Sequence, residues 1–319
     1  MTRRYLQTLW IFTLCVLACF SQVDAGQPNV ILIFADDQGY GDLSCFGSET
    51  INTPHIDRLA KEGRKFTNFM VASPVCTPSR AALMTGCYPK RVGMHQHVLF
   101  PTSKKGLNPR EHTIANHLKG QGYATACFGK WHLGDNYPYR PEDRGFTEVY
   151  RHGGGGVGQT PDVWDNAYFD GGYFHNGKIV KANGFCTDVF FEFGNRFIRK
   201  CVKQKKPFLA YISTNAPHGP FHCPQKYLDM YQNQSEKIAS FFGMITNVDD
   251  NVGKTRALLK KLGVYEDTIF IFTTDNGPWL PFKERGGSAG LLAGGKGGNL
   301  EGGQRVPFVA RYPARIPAG

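Results

Sequence analysis

The chain has 319 residues, of which 41% are hydrophobic and 20% charged, and its formal net charge is +11 at pH 7. A chain of this length is ample for a large core, and a single α/β domain is allowed at this size. The positive charge favours anionic partners, but the densest basic stretch, residues 199–206, has no interleaved aromatic residues to stack on bases, which argues against a nucleic-acid-binding protein.

Residues 1–25 have the pattern of a secretory signal peptide. Two arginines at positions 3 and 4 precede an apolar run over residues 9–20, and residues 23–25 (VDA) form a cleavage site. The apolar run is too short to span a membrane. A lipoprotein signal at Cys19 is the weaker alternative, because the residues before it fit that pattern poorly. We therefore predict an extracytoplasmic protein that is either secreted or periplasmic.

Seven cysteines remain after the predicted leader, and six of them remain when Cys76 is set aside. An even number outside the cytoplasm permits disulfides, although the sequence does not give their pairing. Free buried thiols in a large domain are an equally good interpretation. The six are Cys45, Cys87, Cys127, Cys186, Cys201 and Cys223.

Five short apolar runs, rich in β-branched and aromatic residues, are predicted to be strands. Their nearly continuous hydrophobicity indicates burial on both faces. Helical patterns lie between them, and such alternation predicts an α/β fold with a mostly parallel sheet between helices. The predicted strands are residues 29–35, 123–128, 207–213, 268–274 and 306–312, and the predicted helices are residues 54–63, 79–85, 111–122, 187–202 and 235–262.

Polar side chains capable of chemistry follow four of the five predicted strands. Open α/β sheets bind ligands outside the carboxyl ends of their strands, so these side chains are predicted to meet in one crevice. The four groups are Asp36 with Asp37, Lys130 with His132, Asn215 with His218, and Asp275 with Asn276.

Two of these groups bring together three carboxylates and an amide. Asp36 and Asp37 follow the first strand, and Asp275 and Asn276 follow the fourth. Such oxygen ligands suit calcium or magnesium better than zinc, and calcium is the first choice. Each pair taken alone is also compatible with a helix cap or an Asx turn.

Two motifs identify a family resemblance. Residues 76–86 (CTPSRAALMTG) resemble the maturation signature of type I sulfatases, and residues 122–132 (GYATACFGKWH) resemble the second signature of that family. The resemblance implies that Cys76 is converted to formylglycine by a maturation enzyme. The alternative for Cys76 is a buried structural cysteine ahead of a helix.

The resemblance also implies roles for individual residues. It implies that the two aspartates after the first strand, the Asp-Asn pair after the fourth strand and position 76 hold one calcium ion. It also implies that Arg80 orients the formylglycine hydroxyl. Lys130 would bind sulfate, and His132 would assist proton removal from the hydroxyl that expels sulfate. His218, in the short motif at residues 215–218 (NAPH), would contact sulfate or protonate the leaving alcohol, and Lys296, between paired glycines, would bind sulfate. The implied calcium ligands are Asp36, Asp37, Cys76, Asp275 and Asn276.

The implied protein is a calcium-dependent sulfuric ester hydrolase with an alkaline-phosphatase-like fold, acting on a sulfated small molecule or carbohydrate. Residues 26–319 would form its catalytic domain. Type I sulfatases continue beyond the segment at residues 302–307 into a smaller carboxy-terminal sheet domain, so we predict that this domain is missing and that the catalytic domain is incomplete at its end.

Two other functions remain open. A related enzyme on the same scaffold would hydrolyse phosphate monoesters or phosphonates, and a non-catalytic binder of sulfated glycans is expected if Cys76 stays a thiol. Five histidines match no motif, and His152 among them is predicted to be solvated in a loop. They are His55, His95, His97, His152 and His175.

Overall fold

The computed structural model describes residues 26–96, 98–159, 163–280 and 286–319. The predicted signal peptide, with Cys19, and His97 lie outside the described residues. In the described part of the chain, no helix is both long enough and apolar enough to cross a bilayer.

Within the described ranges, nine strands form one mixed sheet. Five of them, in the order β8–β1–β7–β3–β4, run parallel at its centre, and antiparallel strands extend it at both edges, with β9 and then β2 beyond β8 and with β5 and then β6 beyond β4. The strands are β1 (Asn29–Ala35), β2 (Arg64–Phe66), β3 (Ala124–Gly129), β4 (Glu148–Arg151), β5 (Gly172–His175), β6 (Lys178–Lys181), β7 (Phe208–Ser213), β8 (Thr268–Thr274) and β9 (Phe308–Arg311).

Seven α-helices and three short 3₁₀ helices accompany the sheet in the described residues. The 3₁₀ helices are Ser44–Phe46, Pro141–Arg144 and Asp229–Tyr231. The α-helices are α1 (Pro54–Glu62), α2 (Cys76–Thr85), α3 (Ile114–Gly120), α4 (Cys186–Lys203), α5 (Gln225–Leu228), α6 (Glu236–Lys261) and α7 (Glu301–Gln304).

The central strands are buried on both faces because helices cover each of them. In β1, Ile31 and Ile33 pack into one apolar cluster with residues of α1, α4 and α6. The alternate residues Leu32 and Phe34 pack into a second cluster with residues of α2 and α3. This alternation is the period of a strand, whose successive side chains point to opposite faces. The result is a three-layer sandwich with the sheet in the middle.

The prediction of an α/β fold is confirmed. All five predicted strands are present within one or two residues of their expected bounds, and the last of them, β9, is antiparallel to β8. Four short strands, β2 and β4–β6, were not predicted, because each has only three or four residues and so carries little pattern. Helix α2 begins at Cys76, three residues earlier than expected. The seven described cysteines are free thiols.

Glu62 at the end of α1 ties that helix to α6 and to the β8 side of the sheet. Its carboxylate accepts hydrogen bonds from Arg256 Nε at 3.0 Å, from Tyr265 Oη at 2.8 Å and from Arg58 Nε at 3.1 Å. Burial alone would raise the pKa of Glu62, but the bonds from Arg256 and Tyr265 lower it to about 2.

We expect this network to make stability depend on pH at the acid end. A carboxyl whose pKa is lowered on folding stabilises the native state above its unfolded pKa of about 4.3. That contribution is lost as the pH falls from about 4.3 towards 2. The difference in free energy of unfolding between the parent chain and Glu62→Gln, followed by denaturant titration, should shrink across this window. Glu192→Gln, at a surface i,i+4 pair, is the control and should show almost no such change. A pH-independent difference for Glu62→Gln would contradict the assignment.

Candidate active site

The carboxyl ends of four parallel strands meet at one edge of the sheet, and backbone hydrogen bonds join the segments that follow them. The Asp36 amide donates to Ala216 O at 2.9 Å, beyond β7, and the Asp275 amide donates to Ala35 O at 3.3 Å. The Lys130 amide donates to Ser213 O at 2.6 Å. The strand-end side chains predicted from the sequence are therefore brought together, with the exception of Asn215.

Three buried carboxylates form the floor of this site. Asp37 has a positive φ of 63°, which turns the chain so that its amide donates to Asp275 Oδ1 at 3.1 Å. Burial would raise the pKa of Asp37 and that of Asp275, but Lys296 beside Asp37 and Arg80 beside Asp275 lower both pKa values. Burial raises the pKa of Asp36 to about 8, although Lys130 opposes that shift. The three carboxylates therefore depend on neighbouring cations to keep their charge in this buried site.

Cys76 lies at the amino end of α2, directly above one of these carboxylates. Its side chain is buried, with 2% exposure, and its Sγ is 3.8 Å from Asp36 Oδ1. Burial raises the pKa of the Cys76 thiol to about 12. An unmodified Cys76 would therefore stay protonated near neutral pH, which makes it a poor nucleophile as it stands.

Arg80, one helical turn after Cys76, holds the floor in place. Its Nε and Nη2 atoms donate to Asp275 Oδ2 at 3.0 and 2.7 Å, and its Nη1 atom donates to Ser213 Oγ at 2.6 Å. The guanidinium carbon lies 5.1 Å from the ring centroid of Phe34. Arg80 is fully buried, so this pairing takes place out of contact with water.

Two lysines supply further positive charge. The Lys130 ammonium lies 2.6 Å from Asp36 Oδ2 and is fully buried. The Lys296 ammonium lies 2.7 Å from Asp37 Oδ2, and it reaches the site because its amide is held by Pro278 O at 2.9 Å. Burial would lower the pKa of Lys296, but Asp37 raises it, so this side chain stays a cation.

His132 presents a free ring nitrogen. Its Nε2 lies 2.6 Å from Leu99 O, a carbonyl that can only accept, so Nε2 carries the proton and donates. Its Nδ1 is buried and has no hydrogen-bond partner. Burial, together with Lys130, lowers the pKa of His132 well below its ordinary value. The ring is therefore neutral, and its Nδ1 lone pair is available to accept a proton.

His218 lies on the other side of Asp37. Its Nδ1 is 2.7 Å from Gly219 O, which assigns the proton to that nitrogen, and its Nε2 is 3.5 Å from Asp37 Oδ2. Burial lowers the pKa of His218 to about 4. Asn215 of the same motif points elsewhere, because its Oδ1 accepts from Cys186 Sγ at 3.4 Å.

The donor set fits a hard divalent cation. The ligand atoms of Asp36, Asp37, Cys76 and His218 lie within 4.8 Å of one another. Asn276 donates through Nδ2 to Asp37 Oδ1 at 2.8 Å, and its Oδ1 is buried without a partner. An orphaned amide oxygen beside carboxylates is the kind of group that a calcium or magnesium ion satisfies.

A cleft of about 1210 Å³ opens onto the site, and Cys76, His132, His218 and Lys296 line it. Much of the remaining cleft lining is aromatic or apolar. The sequence did not lead us to predict any of these other lining residues. Trp279 directly follows the strand-end segment 275–278, so its position in the sequence could have predicted that it lies near the site. Phe100 and Gln159 offered no such signal. His152 was predicted to be solvated in a loop, but it is buried against Phe190, so that prediction is wrong.

Comparison with known proteins gives a consistent result. A family model described as Sulfatase matches residues 28–318. Arylsulfatase A of Homo sapiens is 35% identical over 313 residues, covering 92% of this chain and 61% of the relative. N-acetylgalactosamine-6-sulfatase of Canis lupus familiaris is 33% identical over 311 residues, covering 92% and 58%. The crystal structure of Ps i-CgsB in complex with k-i-k-neocarrahexaose has a TM-score of 0.86 and 37% identity, covering 92% of this chain and 67% of that chain.

The sheet and the strand-end cluster define an alkaline-phosphatase-like α/β protein. Within that class, this chain belongs to the sulfatase family, so the resemblance to type I sulfatases predicted from the sequence is confirmed. The chain spans about three fifths of the length of the curated relatives it matches.

Proposed function

We propose that this chain carries the catalytic centre of an arylsulfatase-type sulfuric ester hydrolase, acting on a sulfate monoester of a small molecule or carbohydrate. The observation that carries the proposal is Cys76, buried at the amino end of α2 between the carboxylate floor and two lysines. In this proposal residues 26–319 form the catalytic domain behind a signal peptide over residues 1–25, and the protein works outside the cytoplasm.

Conversion of Cys76 to formylglycine by a maturation enzyme is part of the proposal. The raised pKa of the thiol supports it, because the unmodified side chain has little nucleophilic character. The hydrated aldehyde supplies two hydroxyls on one carbon, of which one attacks sulfur and the other later expels sulfate. Arg80 holds the carboxylate floor beneath position 76 and so orients the hydroxyls formed there.

Three side chains are proposed to bind the sulfate group. The Lys130 and Lys296 side chains lie beside the floor, and His218 faces the same carboxylate as Lys296. Positive groups fixed in a site from which water is excluded stabilise negative charge far better than they would in water. Lys296 and His218 both line the cleft, so they can also meet the leaving oxygen. His218 would deliver a proton to it from Nε2 in its protonated form, which the negative charge of a bound sulfate favours.

His132 is proposed to take the proton from the hydroxyl that expels sulfate. Its neutral ring and its unpartnered Nδ1 support this role. The hydrogen bond from Nε2 to Leu99 O fixes the tautomer and leaves the lone pair on the other nitrogen. A buried lone pair without a partner is costly, and a catalytic role accounts for that cost.

The bound cation is proposed to be calcium, with magnesium as the weaker candidate. Its ligands would be Asp36, Asp37 and Asn276, with an oxygen at position 76 that replaces the sulfur of Cys76. Asp275, which accepts from the Asp37 amide, would complete the set. When bound, such an ion supplies Lewis-acid stabilisation of charge on the sulfate oxygens.

The test of the function combines mass spectrometry with turnover. Peptides covering residues 73–80, from protein made in a host with the maturation enzyme, should lose the mass that separates a thiol side chain from an aldehyde. The same protein should hydrolyse para-nitrophenyl sulfate. A large preference for para-nitrophenyl phosphate would favour a phosphate or phosphonate hydrolase. An unmodified Cys76, with sulfated glycans bound and not cleaved, would favour the non-catalytic alternative.

Calcium should stabilise the folded chain measurably. A ligand that binds only the folded state adds about 2.7 kcal/mol at a concentration one hundred times its Kd, so the melting temperature should rise with added calcium and fall with chelator. Asp37→Asn should lose most of this response. Asp250→Asn is the matched control, because it removes a carboxylate from a second acidic cluster, formed by His55, Asp249 and Asp250, which we do not propose as a site. An unchanged response in Asp37→Asn would overturn the ligand assignment.

A further inference from the structure

Trp279 stands at the point where the proposed sulfate site opens into the cleft. It follows the strand-end residues Asp275 and Asn276 after a short turn, which brings its indole beside the centre. The Lys296 ammonium lies 5.0 Å from the ring centroid of Trp279, and the His218 ring meets the indole edge-on at 6.3 Å with an interplanar angle of 90°. Both of these side chains also approach Asp37 Oδ2. Trp279 is therefore next to two of the proposed sulfate-binding groups.

Nearly half of the Trp279 surface is left open. Trp279 is 48% exposed. Trp131, which follows β3 and packs in the second apolar cluster, is 1% exposed. Lys296 and His218 cover only part of the indole, and the rest of it lines the cleft. Such an open aromatic face suits a flat partner, because aromatic rings gain most from offset stacking or from contact with C–H groups. Trp279 is therefore not a core residue held in place by burial of its ring.

The rest of the cleft supports the same interpretation. Phe221 and Phe241 line it as an edge-to-face pair with centroids 5.3 Å apart. Among the described lining residues the cations are Lys237 and Lys296, and no arginine is present. The aromatic and apolar part of the described lining therefore favours apolar contact with the organic part of a ligand.

We propose that Trp279 is the leaving-group platform of this site and selects sulfate esters whose alcohol presents a flat apolar face. The inference rests on the proposed function of the neighbouring residues. An aromatic ring and the C–H face of a pyranose ring share this chemistry, and a flexible alkyl chain lacks it. Trp279 acts by contact with the substrate, in addition to any support that it gives to Lys296.

Kinetics with three substrates tests the proposal: para-nitrophenyl sulfate, a galactose monosulfate and hexyl sulfate. In Trp279→Ala, KM for the aryl and pyranose esters should rise about five- to tenfold, the range expected for loss of one stacking contact, while KM for hexyl sulfate changes little. Trp279→Phe should restore most of the preference. Trp164→Ala, at a tryptophan that is 90% exposed and is not among the residues lining the cleft, is the matched control and should behave as the parent chain.

Loss of kcat to the same extent on all three substrates would overturn the proposal, because it would mean that Trp279 only positions Lys296. Calorimetric binding of the same esters to Cys76→Ala and to Cys76→Ala with Trp279→Ala separates this proposal from the catalytic one. If the parent chain turns over no sulfate ester, the proposed function fails, yet a binding preference for flat esters that disappears with Trp279 still supports the platform. Equal binding of all three esters, or binding of none, contradicts it.

Discussion

Cys76→Ala protein is expected to fold as the parent chain does and to hydrolyse para-nitrophenyl sulfate at least about 10³-fold more slowly. The substitution removes the thiol that the maturation enzyme would convert to the aldehyde, so the attacking hydroxyl cannot form. The lysines that remain would bind sulfate but cannot attack it. The loss should appear in kcat, with KM changed much less, because Lys130 and Lys296 remain beside the floor. Steady-state kinetics on purified protein measures both parameters.

Cys223→Ala is the matched control for this experiment. Cys223 is buried and lines the same cleft, but its sulfur lies beside Gly243 and Tyr227, and it is absent from the carboxylate cluster. Its kcat should stay within about twofold of the parent value, since a buried cysteine outside the chemistry acts as a small apolar residue. Substantial sulfatase activity in Cys76→Ala, with a normal melting temperature, would remove Cys76 from the mechanism.

Much of the fold could be predicted because the central strands are apolar on both faces. Residues 29–35 and 268–274 are nearly continuous apolar runs, which are typical of strands covered by helices on both faces of a sheet. Both segments are strands with the expected bounds. The short strands β5 and β6 escaped prediction because each has only four residues, and the exposed lysines of the edge strand β6 give no clear apolar pattern. The direction of β9 also escaped, since a strand's pattern does not encode whether its neighbour is parallel.

The grouping of the site could be predicted for a topological reason. Parallel strands end at the same edge, so residues that follow them are neighbours whatever their separation along the chain. The pairing inside the group could not be predicted, because the choice of Asp36 by Lys130 and of Asp37 by Lys296 depends on side-chain geometry. Trp279 escaped for a similar reason: an aromatic residue after a turn is ordinarily a packing residue, and only its neighbours and its open face distinguish it.

The second large effect is expected at Arg80, where Arg80→Met should lower the free energy of unfolding by about 3–5 kcal/mol. Asp275 is fully buried and receives two hydrogen bonds from Arg80 on one oxygen, so removal of the guanidinium leaves an uncompensated charge in the core. Arg80→Lys should lose less, about 1.5–3 kcal/mol, because an ammonium keeps the charge but cannot reach Asp275 and Ser213 together as the planar guanidinium does. Urea titration with an unchanged m-value measures both losses.

The control for Arg80 is Arg196→Met, which breaks a surface ion pair with Glu192 at 2.9 Å between side chains that are 64% and 49% exposed. Its effect should stay within about 0.5 kcal/mol, since exposed i,i+4 pairs contribute little. The comparison is informative because Arg196 has one exposed ion pair, whereas Arg80 has buried ion pairs with Asp275 at 2.7 Å and with Asp36 at 3.6 Å. If Arg80→Met cost no more than Arg196→Met, Asp275 would have to be neutral or solvated in the folded chain. The carboxylate floor on which the proposed cation and position 76 depend would then lack its buried charge.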